Sequence, residues 1–131
     1  MLADLKEILS IAEKGGFAVP AFNTYNMETV MGVISAAEEL HAPVILQSYS
    51  RLFRSDNGYY LAAVILAAAD RAKVPVCFHL DHGHTEQEVI RGIRYGCTGI
   101  MIDASILPLE ENIKMTRKAA AICSEAGIPA E

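Results

Sequence analysis

The sequence predicts an α/β protein in which parallel strands alternate with helices, and three observations predict it. Short apolar runs alternate along the chain with amphipathic segments of helical period. Strand starts near residues 17, 43, 75, 99 and 128 are spaced by 26, 32, 24 and 29 residues, so a strand-helix unit recurs regularly. No Gly-x-Gly-x-x-Gly turn follows the first strand, where Asn23, Thr24 and Tyr25 stand instead. That favours a closed barrel over an open doubly wound sheet. The alternation of strands and helices makes the strands parallel, joined by right-handed crossovers.

The elements follow in order. Residues 2–14 place Leu5, Ile8, Leu9 and Ala12 on one helical face and stop at Gly15-Gly16, which makes them a lead-in helix. Residues 17–22, 43–47, 75–80 and 99–102 read as strands buried on both faces, each followed by a helix. The first of these helices covers residues 26–40, capped by Asn26, and the second covers 59–72. In the third, Thr85 and Glu88 form a capping box, Val89, Ile90 and Ile93 make the buried stripe, and Gly96 ends the helix. In the fourth, Pro108 takes the first helical position, Leu109, Ile113, Ala120 and Cys123 are assigned to the sheet side, and Gly127 terminates.

A closed eightfold barrel takes roughly 250 residues. This chain of 131 supplies the lead-in helix, four βα units over residues 17–127, and the start of a fifth strand at Ile128-Pro129-Ala130-Glu131. A strand cut at its start leaves backbone groups unpaired. The expectation is therefore a truncated (β/α)8 TIM barrel, its N-terminal half.

Composition narrows the function. With 52% hydrophobic and 21% charged residues the chain is an ordinary globular sequence, which excludes disorder and collagen-like repetition. The longest apolar run, residues 61–69, stops at Asp70 and is too short for a bilayer, which needs roughly 20 residues. No basic stretch followed by an apolar core marks a secretory signal, so a cytoplasmic protein is expected, with no membrane partner. Eleven basic and 16 acidic side chains give a net charge of -5. The basic residues are scattered, which leaves nucleic acid without an electrostatic footprint. Cys77, Cys97 and Cys123 are widely spaced and read as reduced core residues.

Three of the four histidines fall within His79-Leu80-Asp81-His82-Gly83-His84, at the C-terminal end of the third strand, where barrel enzymes place their chemistry. Strand alternation points Val76, Phe78 and Leu80 one way and Cys77, His79 and Asp81 the other, with His82 as the first loop residue. A carboxylate at a strand end is costly unless a cation, hydrogen-bond donors or catalysis justify it. Asp103 ends the fourth strand in the equivalent place, as a site residue or as a turn or cap. Metal binding leads among the functional options because neutral imidazoles are common zinc ligands. His84 reads as solvated. Weaker candidates are Asn23, just past the first strand, and the loop serines Ser48 and Ser50, while Arg51 and Arg54 read as solvated.

Val19-Pro20-Ala21-Phe22-Asn23, Pro43-Val44-Ile45-Leu46-Gln47, His79-Leu80-Asp81-His82-Gly83, Met101-Ile102-Asp103-Ala104-Ser105 and Leu107-Pro108-Leu109-Glu110-Glu111-Asn112-Ile113 stand in this order along the chain. Together they resemble the zinc-dependent class II fructose-bisphosphate and tagatose-bisphosphate aldolases. The resemblance implies a (β/α)8 barrel and the reversible aldol cleavage of a ketose bisphosphate to dihydroxyacetone phosphate and glyceraldehyde 3-phosphate. It implies His82 as a ligand of a catalytic Zn2+ and Asp81 as the acid/base at the C4 hydroxyl. Asp103 matches a position associated with a second divalent or monovalent cation, and Asn23 a residue near the substrate. The implied partner is a small phosphorylated sugar, and a full-length homo-oligomer, dimer or tetramer, is expected.

The chain departs from the family pattern at Tyr49, where relatives carry Ser or Thr, at the following Ser50-Arg51-Leu52, and at Ile106, where histidine is common. Glu131 matches the first acid of the family's Glu-x-Glu strand, while two further zinc histidines belong to the second half. One histidine cannot make a catalytic zinc site, which needs about three protein ligands. Inactivity of the 131 residues alone is therefore expected. The alternatives are a noncatalytic or assembly-dependent half-barrel, and a metallohydrolase using His79, His82 and His84 together.

Overall fold

A computed structural model describes all 131 residues. Helix α1 (Leu5–Gly15) begins at a capping box in which Asp4 and Glu7 serve each other's backbone N–H at 2.9 and 2.7 Å. It ends at Gly16, whose φ of 67° is the left-handed conformation that glycine adopts without penalty. Strand β1 (Ala21–Asn23) follows, shorter than the apolar run suggests. The Phe17 N–H is spent on the Ala12 carbonyl at the helix end, and pairing starts only at the Pro20 carbonyl, which accepts from Ile45.

Helix α2 (Met27–Glu39) starts at Asn26 as expected, with Asn26 Oδ1 accepting from the Thr29 N–H at 2.9 Å. Strand β2 (Val44–Tyr49) and strand β3 (Val76–Gly83) both run past their last apolar residue. Backbone pairing is indifferent to side-chain polarity, so the polar ends Ser48-Tyr49 and Asp81-His82-Gly83 stay in the sheet. A short 3-10 helix (Ser50–Arg54), which the sequence did not reveal, leads into α3 (Asp56–Arg71). Helix α4 (Glu86–Arg94), strand β4 (Gly99–Ile102) and helix α5 (Leu109–Glu125) complete the array.

The four strands are parallel in the order β1-β2-β3-β4. Residues 129–131 add to the far side of β4, with Glu131 N–H bonded to the Ile100 carbonyl at 2.8 Å. Val30 of α2, Ile65 of α3, Val89 of α4 and Ala119 and Cys123 of α5 share one apolar core with Leu46, Phe78 and Leu80. All four crossover helices therefore lie on the same side of the sheet. A doubly wound sheet would divide them between two faces, so the architecture is one side of a barrel. Burial of each large core side chain contributes roughly 1.5–3 kcal/mol.

The other face carries Ile45 and Cys77, covered at the N-terminal end of the strands by Leu5 and Ile8 of α1. Leu9, assigned to the same helical stripe, is 50% exposed instead. The stripe of α5 is also rotated from its expected position. Leu109, Ile113 and Ala120 are exposed, and Met115, Ala119, Ile122 and Cys123 pack inward. In the first turn of this helix Asn112 donates from Nδ2 to the Ala104 carbonyl at 2.9 Å. Pro108 precedes the helix with ψ of 149° and is its cap, not its first residue.

Two glycines differ in what a side chain would meet. A Cβ on Gly99 would lie 2.7 Å from His79 Cδ2 and 2.9 Å from Leu5 Cβ, whereas one on Gly32, inside α2, meets nothing within 4 Å. G99A should therefore lower stability by about 1–3 kcal/mol in denaturant unfolding, and G32A should raise it by about 0.5–1 kcal/mol. Equal effects of the two substitutions would contradict this packing.

Candidate active site at the strand ends

The pairing of β3 with β4 slips by one residue at the site. His79 pairs with Gly99 and Leu80 with Ile100, but Gly83, not His82, pairs with Ile102. One extra residue on β3 makes a bulge, and bulges re-aim side chains at sheet ends. His82 sits in it with φ of 52°, a left-handed conformation that is rare for a side chain with a Cβ. His82 is thus the bulged residue of the strand and not the first residue of a loop.

The bulge brings three predicted residues together. His82 Nδ1 lies 2.7 Å from Asp103 Oδ2, and His82 Nε2 lies 3.8 Å from Asp81 Oδ1. The Ser105 N–H donates to Asp103 Oδ1 at 3.0 Å. Hydrogen bonds from Ser105 and then His82 hold the Asp103 carboxyl well below the usual carboxylate range. An ionised Asp103 only accepts, so Nδ1–H of His82 donates, and in the neutral ring Nε2 keeps its lone pair. The same bond raises the His82 pKa, with the negative charge of Asp81 adding to it against burial. Both oxygens of Asp103 are thereby engaged, one with the imidazole and one with the backbone.

Asp81 is buried, 7% exposed, and its Oδ1 accepts from Gln47 Nε2 at 3.1 Å. Sequence reasoning did not single out Gln47 as a site residue. Its signal was available: alternation from Ile45 puts a lone polar side chain on the inner face beside Asp81. Tyr49 pairs in register with Asp81, and its ring centroid is 6.2 Å from that of His82. Asn23 pairs with Gln47, which pairs with His79, so it lies one layer below Asp81 and two strands away.

Other expectations are corrected. Ser48 and Ser50 are 1% exposed, their hydroxyls without partners, and are therefore withdrawn from any phosphate. Alternation sends Ser48 to the helix side together with Leu46. Arg54 is not merely solvated, since its Nε donates to Glu88 Oε1 at 2.6 Å. Thr85 caps α4, but Glu88 does not return the bond and the capping box is incomplete. His84 approaches the Asp103 carbonyl through Nδ1 at 3.4 Å, and His79 is buried one layer down. His79, His82 and His84 do not come together as a group of three that could hold a metal ion. His82 Nε2 offers one ligand where a catalytic zinc site needs about three.

The comparisons with known proteins bear on this geometry. The family profile described as fructose-bisphosphate aldolase class-II matches residues 3–131. A fructose-bisphosphate aldolase of Giardia intestinalis is 36% identical over 131 residues, which is 99% of this chain and 41% of that protein. The crystal structure of the YdjI aldolase from Escherichia coli K12 superposes with a TM-score of 0.93 at 34% identity, covering 99% of this chain and 49% of the other. A putative fructose-1,6-biphosphate aldolase from Coccidioides immitis gives 0.89 at 30% identity, covering 96% and 44%. The chain thus spans under half the length of these relatives.

His79 generates a pH prediction. Burial lowers its pKa from 6.5 to about 4, against the opposing pull of Asp81. Between those values the unfolded chain binds a proton that the folded chain refuses, so stability falls as pH drops from 6.5 to 4, by about 3 kcal/mol. Urea unfolding across this range should show that slope in the wild type and lose most of it in H79Q. An unchanged slope in H79Q would assign the acid sensitivity elsewhere.

Proposed function

The chain belongs to the class II fructose-bisphosphate aldolase family, and we propose from that premise that its strand-end site carries the acid/base part of a reversible aldol cleavage of a ketose bisphosphate. The supporting observation is the Asp81 carboxylate, buried at the end of β3, fixed by Gln47 and facing His82 Nε2.

In the cleavage direction Asp81 takes the proton of the C4 hydroxyl. The C3–C4 bond breaks, C4 becomes the aldehyde carbon of glyceraldehyde 3-phosphate, and the bonding pair stays with C3 as the enediolate of dihydroxyacetone phosphate. Protonation at C3 completes the product. In condensation Asp81 returns its proton to the new C4 oxygen. General acid/base transfer of this kind contributes about 10²–10⁴ in rate. Gln47 holds one carboxylate oxygen and so leaves the other to meet the hydroxyl.

His82 Nε2 would offer one ligand to a zinc ion, with Asp103 orienting the ring from behind, and a bound zinc would supply Lewis-acid chemistry there. Asn23, at the open end of β1, is proposed to reach a substrate hydroxyl. The substrate is a small phosphorylated sugar, fructose or tagatose 1,6-bisphosphate being the two considered.

The free edge of β1 supports assembly. Phe22 is 46% exposed there and lines, with Pro20, Val33, Leu40 and Pro43, a pocket of about 260 Å³. Strands from another segment or a second copy would cover it, consistent with a dimer or tetramer. A monomer in sedimentation at high concentration would count against self-association. No helix is long and apolar enough to cross a membrane. The three cysteines are free and buried, which supports a reducing, cytoplasmic compartment.

Two assays test the proposal. The 131-residue chain with added zinc should give no aldol cleavage above a metal-only blank in a coupled assay, and turnover would overturn the requirement for further ligands. Joined to the second half of the Giardia intestinalis fructose-bisphosphate aldolase, the chain should cleave a ketose bisphosphate, and D81N should reduce kcat by about 10²-fold or more. A D81N chimera as active as its parent would remove Asp81 from the chemistry.

A further inference from the structure

Glu88 is a buried carboxylate outside the site just described, 4% exposed, on the first turn of α4. Burying such a charge costs several kcal/mol unless it is well paired. A capping box does not account for it, because the Glu88 carboxylate does not accept the Thr85 N–H. The side chain instead makes two bonds in different directions. Its Oε1 accepts from Arg54 Nε at 2.6 Å, and its Oε2 accepts from the His84 N–H at 2.7 Å.

These partners belong to the two loops that frame the site. Arg54 closes the short 3-10 helix that begins directly after Tyr49. His84 lies two residues beyond the bulged His82, just past the end of β3. A second bond from α4 holds the same 3-10 helix, with Arg91 Nη1 donating to the Phe53 carbonyl at 2.8 Å. The Phe53 ring is fully buried between Phe78 and Tyr95 at centroid distances of 6.4 and 5.7 Å. The 3-10 helix is thus anchored below, and Glu88 ties its end to the chain leaving the bulge.

We propose that Glu88 is a positioning residue for Asp81 and His82, locking the left-handed bulge at His82 and the neighbouring Tyr49 ring into one arrangement through the His84 amide and Arg54. The proposal rests on the assignment of Asp81 and His82 to the aldol chemistry. Its physical content does not depend on that assignment, because the two loops are coupled whether or not the site turns over.

Glutamine at this position has one acceptor oxygen where the carboxylate has two, so E88Q can keep only one of the two bonds. Arg54 is more than half exposed, so R54Q cuts the link from the other side with little risk to the core. The test is NMR of the full 131-residue chain, reading three signals: hydrogen exchange of the His84 amide, the φ-dependent coupling of His82, and the Tyr49–His82 ring contact. E88Q should speed His84 exchange roughly tenfold to a hundredfold and shift the His82 coupling, with the far-ultraviolet circular dichroism of the wild type. R54Q should loosen the Tyr49–His82 contact while the His84 amide stays protected. Should E88Q fail to fold, R54Q decides alone. Variants that alter neither the His82 coupling nor the Tyr49 contact would overturn the proposal and leave Glu88 a fold-stabilising residue only. Because no turnover is read, that result is separable from loss of the D81N effect.

Discussion

The slip of one residue between β3 and β4 is the constraint on which the site depends. In an unbroken strand Asp81 and His82 would point to opposite faces, and an imidazole on the helix side could not meet a carboxylate on the inner side. The bulge removes that alternation locally. Its cost is the left-handed backbone of His82, of order 1–3 kcal/mol for a residue with a Cβ. The hydrogen bond from His82 Nδ1 to an ionised Asp103 offsets part of it, and charge-assisted bonds are about twice as strong as neutral ones. Gly83 is the residue that returns to register, and it has no room for a side chain: a Cβ there would lie 2.9 Å from the Met101 carbonyl oxygen.

The rest of the molecule holds this slip in place by dividing labour between the two faces of the sheet. The helix side is a continuous apolar core from α2 to α5. On the inner side α1 seats on Ile45 and Cys77, and above it the side chains turn polar layer by layer, through Gln47 and His79 to Asp81. His79 is the transitional layer: buried, neutral, and with Nε2 3.2 Å from Glu131 Oε2. Gly99 opposite is bare because the His79 ring and Leu5 occupy the space its side chain would need. The polar end is therefore supported from below by close packing.

Much of this was legible in the sequence. The period of the βα units, the caps at Asn26 and Thr85 and the inner-face assignment of Cys77, His79 and Asp81 depend on local chemistry and alternation, and all stand in the structure. What was not legible depends on partners distant in the chain. The inward face of α5 is decided by the core it meets, which includes Leu46, Phe78 and Leu80, and the pairing of Arg54 with Glu88 spans 34 positions. Residue spacing alone makes Thr85 and Glu88 a capping box, and only the tertiary fold reveals that Glu88 bonds elsewhere. The bulge escaped for the same reason, since a register shift belongs to a strand pair and not to either strand.

The central claim is that the half of the site carried by these residues is preformed, with His82 locked by Asp103 and its Nε2 open beside Asp81. The direct measurement is the tautomer of the His82 ring from a long-range proton–nitrogen spectrum of the metal-free chain at alkaline pH, where the ring is neutral. The account predicts a proton on Nδ1, hydrogen-bonded to Asp103, and a bare Nε2. A proton on Nε2, or the averaged signal of a free imidazole, would contradict it.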